Sequence, residues 1–200
     1  MKKFFDMENP VMRALGTACD LLVLNLLTIL CCLPILTAGA SFTAMFDVAI
    51  HAARGEESYI VKPFFRSFAG NLKKGTVLWL IFLAADALLV LDYFAAASYA
   101  PVFRAGIAAL ALLLLARGMY VFALLSRYEN TVAATLKNAA ALAVGFFPRT
   151  LGMVVFAVAL WVLGVRFYRV GAPVLLMFGL SLPAYVCALL MKGVFDKIDP

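Results

Sequence analysis

Cys31-Cys32, the pair Asp47 and His51, and the pair Asp86 and Arg117 are the residues whose types and spacing bear on chemistry. Adjacent cysteines suggest redox or metal work, but neighbouring residues cannot easily share one tetrahedral metal or close a low-strain disulfide. All four cysteines (Cys19, Cys31, Cys32 and Cys187) sit in apolar runs and none forms a CxxC. There a cysteine behaves as a small packing residue, so no metal or other cofactor is expected. His51 is the one histidine of the chain, which excludes an HExxH zinc site and a His-rich metal centre. Four residues after Asp47, it suits either a proton switch or a plain helix-surface pair near a membrane interface. No GxSxG, P-loop or GxGxxG occurs, and the carboxylates Glu56-Glu57 read as solvated in a basic loop. No enzymatic activity is expected.

Asp86 and Arg117 lie inside apolar runs, where a charge costs on the order of 2.5–3.5 kcal/mol and needs a partner. Counted back from a turn near residue 100, the two come level on consecutive spans, so an Asp86–Arg117 pair is expected. It would serve either as a static ion pair fixing the hairpin or as part of a substrate or proton pathway. In the first hairpin, Asp20 comes level with Arg54 and Asn25 with His51. Asp20, Asn25, Asp47, His51 and Arg54 are therefore expected to gather toward the cytoplasmic half.

These residues must be positioned by membrane helices. Of 200 residues, 66% are hydrophobic and 14% charged, with a mean hydropathy of +1.01. Soluble domains average about 45–50% apolar and roughly 25% charged, so a soluble globular fold is excluded. The net charge of +6 fits Lys and Arg held in cytoplasmic loops beside anionic lipid. It does not indicate nucleic acid, because no basic-aromatic module stands clear of the apolar segments. Lys2, Lys3 and Arg13 before an apolar run, with Ala38-Gly39-Ala40 after it, resemble a cleavable leader. The length of the run, with Asp20 and Asn25 inside it, argues against cleavage.

The expected fold is all-α, a polytopic membrane helical bundle. Helix one covers about Leu15–Leu36, ending near Pro34 before a tight turn at Thr37, Gly39 and Ala40. Residues 39–54 form an amphipathic helix stopped by Gly55. Residues 59–74 repeat Val61, Phe65, Phe68 and Leu72 on one face, as in a helix lying in the interface plane. Apolar segments follow at about Thr76–Ala97, Phe103–Leu125, Arg149–Val165 and Ala172–Met191. A second surface helix over about 128–146 is expected to open with a Ser126–Glu129 capping box. Pro183 is expected to kink the last span, with Ser181 or a neighbouring helix helping to satisfy the freed carbonyl.

Five spans would place ten Lys and Arg on one side and six on the other. If 39–54 crosses, as a short helix of about 24 Å, six spans put both termini in the cytoplasm and the split becomes 13 to 3. The positive-inside rule prefers six. The chain then reads as one membrane domain of three hairpins (15–54, 76–125, 149–191) joined by cytoplasmic amphipathic helices.

The segments "CCLPILTAGASFTA" (31–44), "RGEE" (54–57), "RYENT" and "TLKNA" (127–139), "FPRT" (147–150), "SLPAY" (181–185) and "VFDK" (194–197) resemble, in this order, the YesL-type family. That resemblance covers nearly the whole chain. It implies a bacterial inner-membrane helical protein of unknown biochemical activity, often encoded beside carbohydrate uptake and degradation systems, with no family ligand residues to carry over. Three functions follow as expectations: an accessory or assembly component that contacts sugar-transporter membrane subunits, a self-contained small-solute carrier or channel, or a membrane sensor. The lipid bilayer is the first partner, and a homo-oligomer is open. A carrier requires a polar path through the bundle; a bundle with apolar grooves favours the accessory role.

Overall fold

Proline placement sets the first two elements. Pro10 opens α1 (Pro10–Cys32), where its missing N–H costs nothing, and Pro34 closes it. The Thr37 hydroxyl donates to the carbonyls of Cys31 and Pro34, both at 2.8 Å, satisfying acceptors left over at the helix end. A single 3₁₀ turn over Ile35–Thr37 leads into α2 (Ala38–Arg54). Gly55 ends α2 at φ +77°, its N–H returning to the His51 and Ala52 carbonyls. The remaining elements are α3 (Val61–Ala95), α4 (Pro101–Arg127), α5 (Val132–Gly145), α6 (Phe147–Arg166), α7 (Tyr168–Phe178) and α8 (Ser181–Ile198).

The computed structural model describes residues 10–55, 59–95 and 101–198, and among them every regular element is helical. Lys2, Lys3, Glu56-Glu57 and the turn before Pro101 lie outside the described residues. Helices α1, α3, α4 and α6, and α2 taken with the 3₁₀ turn before it (Ile35–Arg54), are each long and apolar enough to cross a bilayer. The pair α7–α8, bent by 57° at its break, makes a sixth candidate. The protein is a polytopic membrane helical bundle, as its composition requires.

The core is built around α2, with 11 of its 17 residues buried against α1, α3, α4 and α8. Its closest approach is to α3. A Cβ on Gly39 would overlap the Gly75 carbonyl oxygen and fall 2.6 Å from Trp79 Cβ; one on Gly75 would fall 2.9 Å from the Ala40 nitrogen. Small residues let two backbones touch there, the usual device of helix contacts in lipid. The pairing runs antiparallel, since Asp47, two turns beyond Gly39, lies beside Ser67. Thus α2 runs beside α3 from the stretch carrying Lys62, Arg66, Lys73 and Lys74 to the start of the apolar half at Trp79, whose ring lies 5.5 Å from Phe42.

The structure corrects four details of the expected boundaries. Residues 59–74 are not a separate interfacial helix; they are the first half of α3, a single helix of 35 residues, about 52 Å long. Gly70 and Gly75 lower helix propensity by about 1 kcal/mol each, which does not break a helix held by tertiary contact. Ser126 does not cap α5: its hydroxyl bonds the Ala123 carbonyl within α4. Thr131 caps α5 instead, accepting from the Ala134 N–H at 3.3 Å. The last span breaks at Gly179-Leu180, not at Pro183, which occupies the first turn of α8 where its missing N–H is tolerated. Helix α1 also stops at Cys32 rather than near Leu36, because Pro34 disfavours helical geometry in the residue before it.

Candidate functional site: a pinned helix break beneath an apolar cleft

Asn25 is the most constrained polar side chain of the bundle. It is fully buried and reaches from α1 to the break between α7 and α8. Its Oδ1 accepts from the Leu180 N–H at 2.9 Å and the Ser181 N–H at 3.0 Å. Its Nδ2 donates to the Leu176 carbonyl at 2.8 Å. A broken helix surrounded by apolar groups strands backbone donors and acceptors. One amide supplies both complements, which an apolar residue cannot. The Ser181 hydroxyl is buried close by without a hydrogen-bond partner, so of the two expected sources it is the neighbouring helix, through Asn25 of α1, that answers the break.

Above the break lies a cleft of about 600 Å³ between α2, α3, α4, α6 and α8. Aromatic rings dominate its wall: Phe42, Trp79, Phe82, Phe122 and Trp161. Phe42 sits 5.5 Å from the Trp79 ring and 5.7 Å from Phe122, which in turn lies 6.1 Å from Phe82. Among the described residues, Asp86 is the one carboxylate on the wall, and no Lys, Arg or His joins it.

The expected Asp86–Arg117 pair does not form. The axial count is sound, because the Phe82–Phe122 contact and the approach of Gly118 to Phe82 bring Asp86 level with the Arg117 turn. The azimuth is what differs. Residues 111, 114, 115, 118 and 122 of α4 face the cleft, and residue 117 lies about 100° away from 118 around a helix of 3.6 residues per turn. Arg117 instead points to α5, with Nη2 3.4 Å from the Leu136 carbonyl and Nε buried without a partner.

The expected cluster of the first hairpin is likewise divided. Asn25 faces α7–α8. Asp47 faces the start of α3 beside Ser67 and Arg66, with His51 on the same helix. His51 Nδ1 lies 2.8 Å from the Asp47 carbonyl and 3.6 Å from its carboxylate, the helix-surface arrangement of an i, i+4 pair. Asp20 is exposed on α1 and Arg54 is half-buried at the end of α2. The cysteines form no disulfide, and among the described residues no group of His, Cys, Asp and Glu could hold a metal ion.

Sequence reasoning also missed how the basic segments fold. The Arg127 guanidinium lies 4.6 Å from the Phe195 ring centre, and Arg149 lies 5.8 Å from that of Phe146. Thr150, next to Arg149, donates to the Ala143 carbonyl at 2.9 Å and meets the buried Tyr120 hydroxyl at 3.1 Å. That bond ties α4, α5 and α6 together. The signal was present in the Arg-Thr pair at a helix start, but nothing local reveals its distant partner.

No curated protein and no solved structure matches the chain. Residues 21–93 match the model of a family described as a protein of unknown function, DUF624. This stretch runs from mid-α1 almost to the end of α3 and contains Asn25, the Gly39–Gly75 crossing and Asp86. Across that stretch the chain is similar to the DUF624 proteins, and by its architecture it is a multi-pass membrane protein.

Proposed function

We propose that this protein is an accessory or assembly component of a carbohydrate-uptake system in the bacterial inner membrane, contacting sugar-transporter membrane subunits. The observation that carries the accessory role is the dispersal of the polar residues a carrier would need to align. Asn25 is consumed by a helix break, Arg117 faces α5, Asp47 and His51 face the start of α3, and the cleft is apolar apart from Asp86. The link to carbohydrate uptake rests on the resemblance of the motifs to the YesL type. The alternative, a self-contained small-solute carrier, draws its support from the single carboxylate on the cleft wall.

The reading includes an orientation. α2 packs against α1, α4 and α8, which cross, and together with the turn before it is itself long and apolar enough to do so. The crossings are then α1, α2, α3, α4, α6 and the broken α7–α8 pair. The side with the greater share of Lys and Arg, carrying both termini, faces the cytoplasm.

The accessory role is tested by purifying the tagged full-length protein from its native host in mild detergent, from cells growing on the relevant carbohydrate. Stoichiometric recovery of a sugar permease is expected. Recovery of the protein alone would contradict the accessory role and favour the carrier.

A further inference from the structure

Asp86 sits near the middle of the apolar half of α3, about 16 Å along the axis from Gly75 and about 14 Å from Ala95. A carboxylate at that depth is costly unless something answers it. The structure gives it no ion pair with the nearest basic side chain on the facing helix, since Arg117 is turned to α5. The wall around it is otherwise apolar and aromatic.

We propose that this cleft binds a compact lipophilic cation, with its charge held by Asp86 and its apolar body packed among Trp79, Phe82, Phe122 and Trp161. Three observations select this class. The charge on the wall is negative and has no basic neighbour among the described lining residues, so a cation complements it and an anion does not; one carboxylate on an otherwise apolar wall would leave most hydroxyls of a free sugar without partners. Aromatic faces attract cations in addition to burying apolar surface. The volume of about 600 Å³ falls in the range of drug-sized ligands, roughly 300–1,000 Å³.

Depth and size dispose of the two other occupants. The amine of a phospholipid headgroup stays at the interface, about 15 Å from mid-bilayer, and cannot reach Asp86 while its chains remain in the leaflet. Two turns of a partner helix, a cylinder about 10–12 Å across and about 11 Å long, fill on the order of 1,000 Å³, more than the cleft of about 600 Å³ holds. The site stands independently of the accessory role, since a bound cation requires no protein partner.

The probe is tetraphenylphosphonium, a permanent lipophilic cation, measured by equilibrium dialysis against the purified full-length protein in detergent. Triphenylphosphine oxide serves as a neutral aromatic comparison. One saturable site is expected for the cation, with the neutral compound at least tenfold weaker. Asp86→Asn should weaken the cation at least tenfold and leave the neutral compound unchanged. Asp92→Asn, on the same helix and outside the cleft lining, should alter neither. Gly118→Leu, which places bulk beside Phe82, should weaken both. Equal affinity of wild type and Asp86→Asn for the cation would overturn the proposal, as would the absence of saturable binding. Should Asp86→Asn fail to fold, the comparison of charged and neutral probes on the wild type decides, and equal affinities there overturn it.

Discussion

Replacing Asn25 with leucine will destabilise the bundle more than any conservative change on the exposed face of α1. Leucine is close in volume and suits the bilayer, so a simple hydrophobicity argument predicts a gain. The structure predicts a loss, because the N–H groups of Leu180 and Ser181 and the carbonyl of Leu176 would be left in apolar surroundings. An unsatisfied buried group costs about 1–3 kcal/mol, so the three together should cost about 3 kcal/mol or more. In a chain of this size that lowers the midpoint of thermal unfolding by roughly 6–12 °C. Asn25→Asp keeps the acceptor for both N–H groups but loses the donor to Leu176 and buries a charge, and should also be destabilised. Leu26→Asn, on the exposed face next door, must not rescue Asn25→Leu. Thermal unfolding of the purified variants in one detergent reads all three, and an unchanged midpoint for Asn25→Leu would show that the amide does not hold the break.

The second large effect is expected at the crossing of α2 and α3. Even the single methyl of Gly39→Ala collides with backbone at the Gly75 carbonyl and with Trp79 Cβ, and that of Gly75→Ala meets the Ala40 backbone. Backbone cannot rotate away as a side chain can, so the helices must separate. Overpacking of this kind costs about 1–3 kcal/mol, and Gly75→Ala should behave alike. Gly70→Ala is the control: it lies on the same helix as Gly75 with nothing within 4 Å. There the higher helix propensity of alanine, about 1 kcal/mol, should leave stability unchanged or raised. Matching losses at Gly39 and Gly75 with none at Gly70 would locate the cost in the crossing. Equal behaviour of all three would remove that explanation.

Composition and periodicity disclosed the helical membrane fold because the hydrocarbon layer allows so few alternatives. Proline and glycine located the end of α1 and the stop at Gly55 for the same local reason, a φ angle or a missing N–H. What could not be read locally was azimuth. Counting residues from a turn brought Asp86 level with Arg117, but a helix turns 100° per residue, and the count carried no information about which face met which. Asn25 shows the same limit from the other side. A buried amide in an apolar run announces that it has a partner, while the partner lies more than 150 positions away. "GLSLP" at 179–183 held the complementary signal, a glycine followed by a proline two turns from any charge, and was read as a kink centred on the proline. The continuity of α3 escaped for a different reason: amphipathic and uniformly apolar halves differ in pattern, yet share one helical backbone.

Membrane position is the central claim of the proposed orientation, since a crossing α2 puts both termini on one side of the bilayer. The direct test places single cysteines at Lys3 and at Lys62 in an otherwise cysteine-free chain and treats intact cells with an impermeant thiol reagent. Six crossings predict that Lys3→Cys and Lys62→Cys are both protected until the cells are opened. Labelling of Lys3→Cys in intact cells, as five crossings require, would contradict the account.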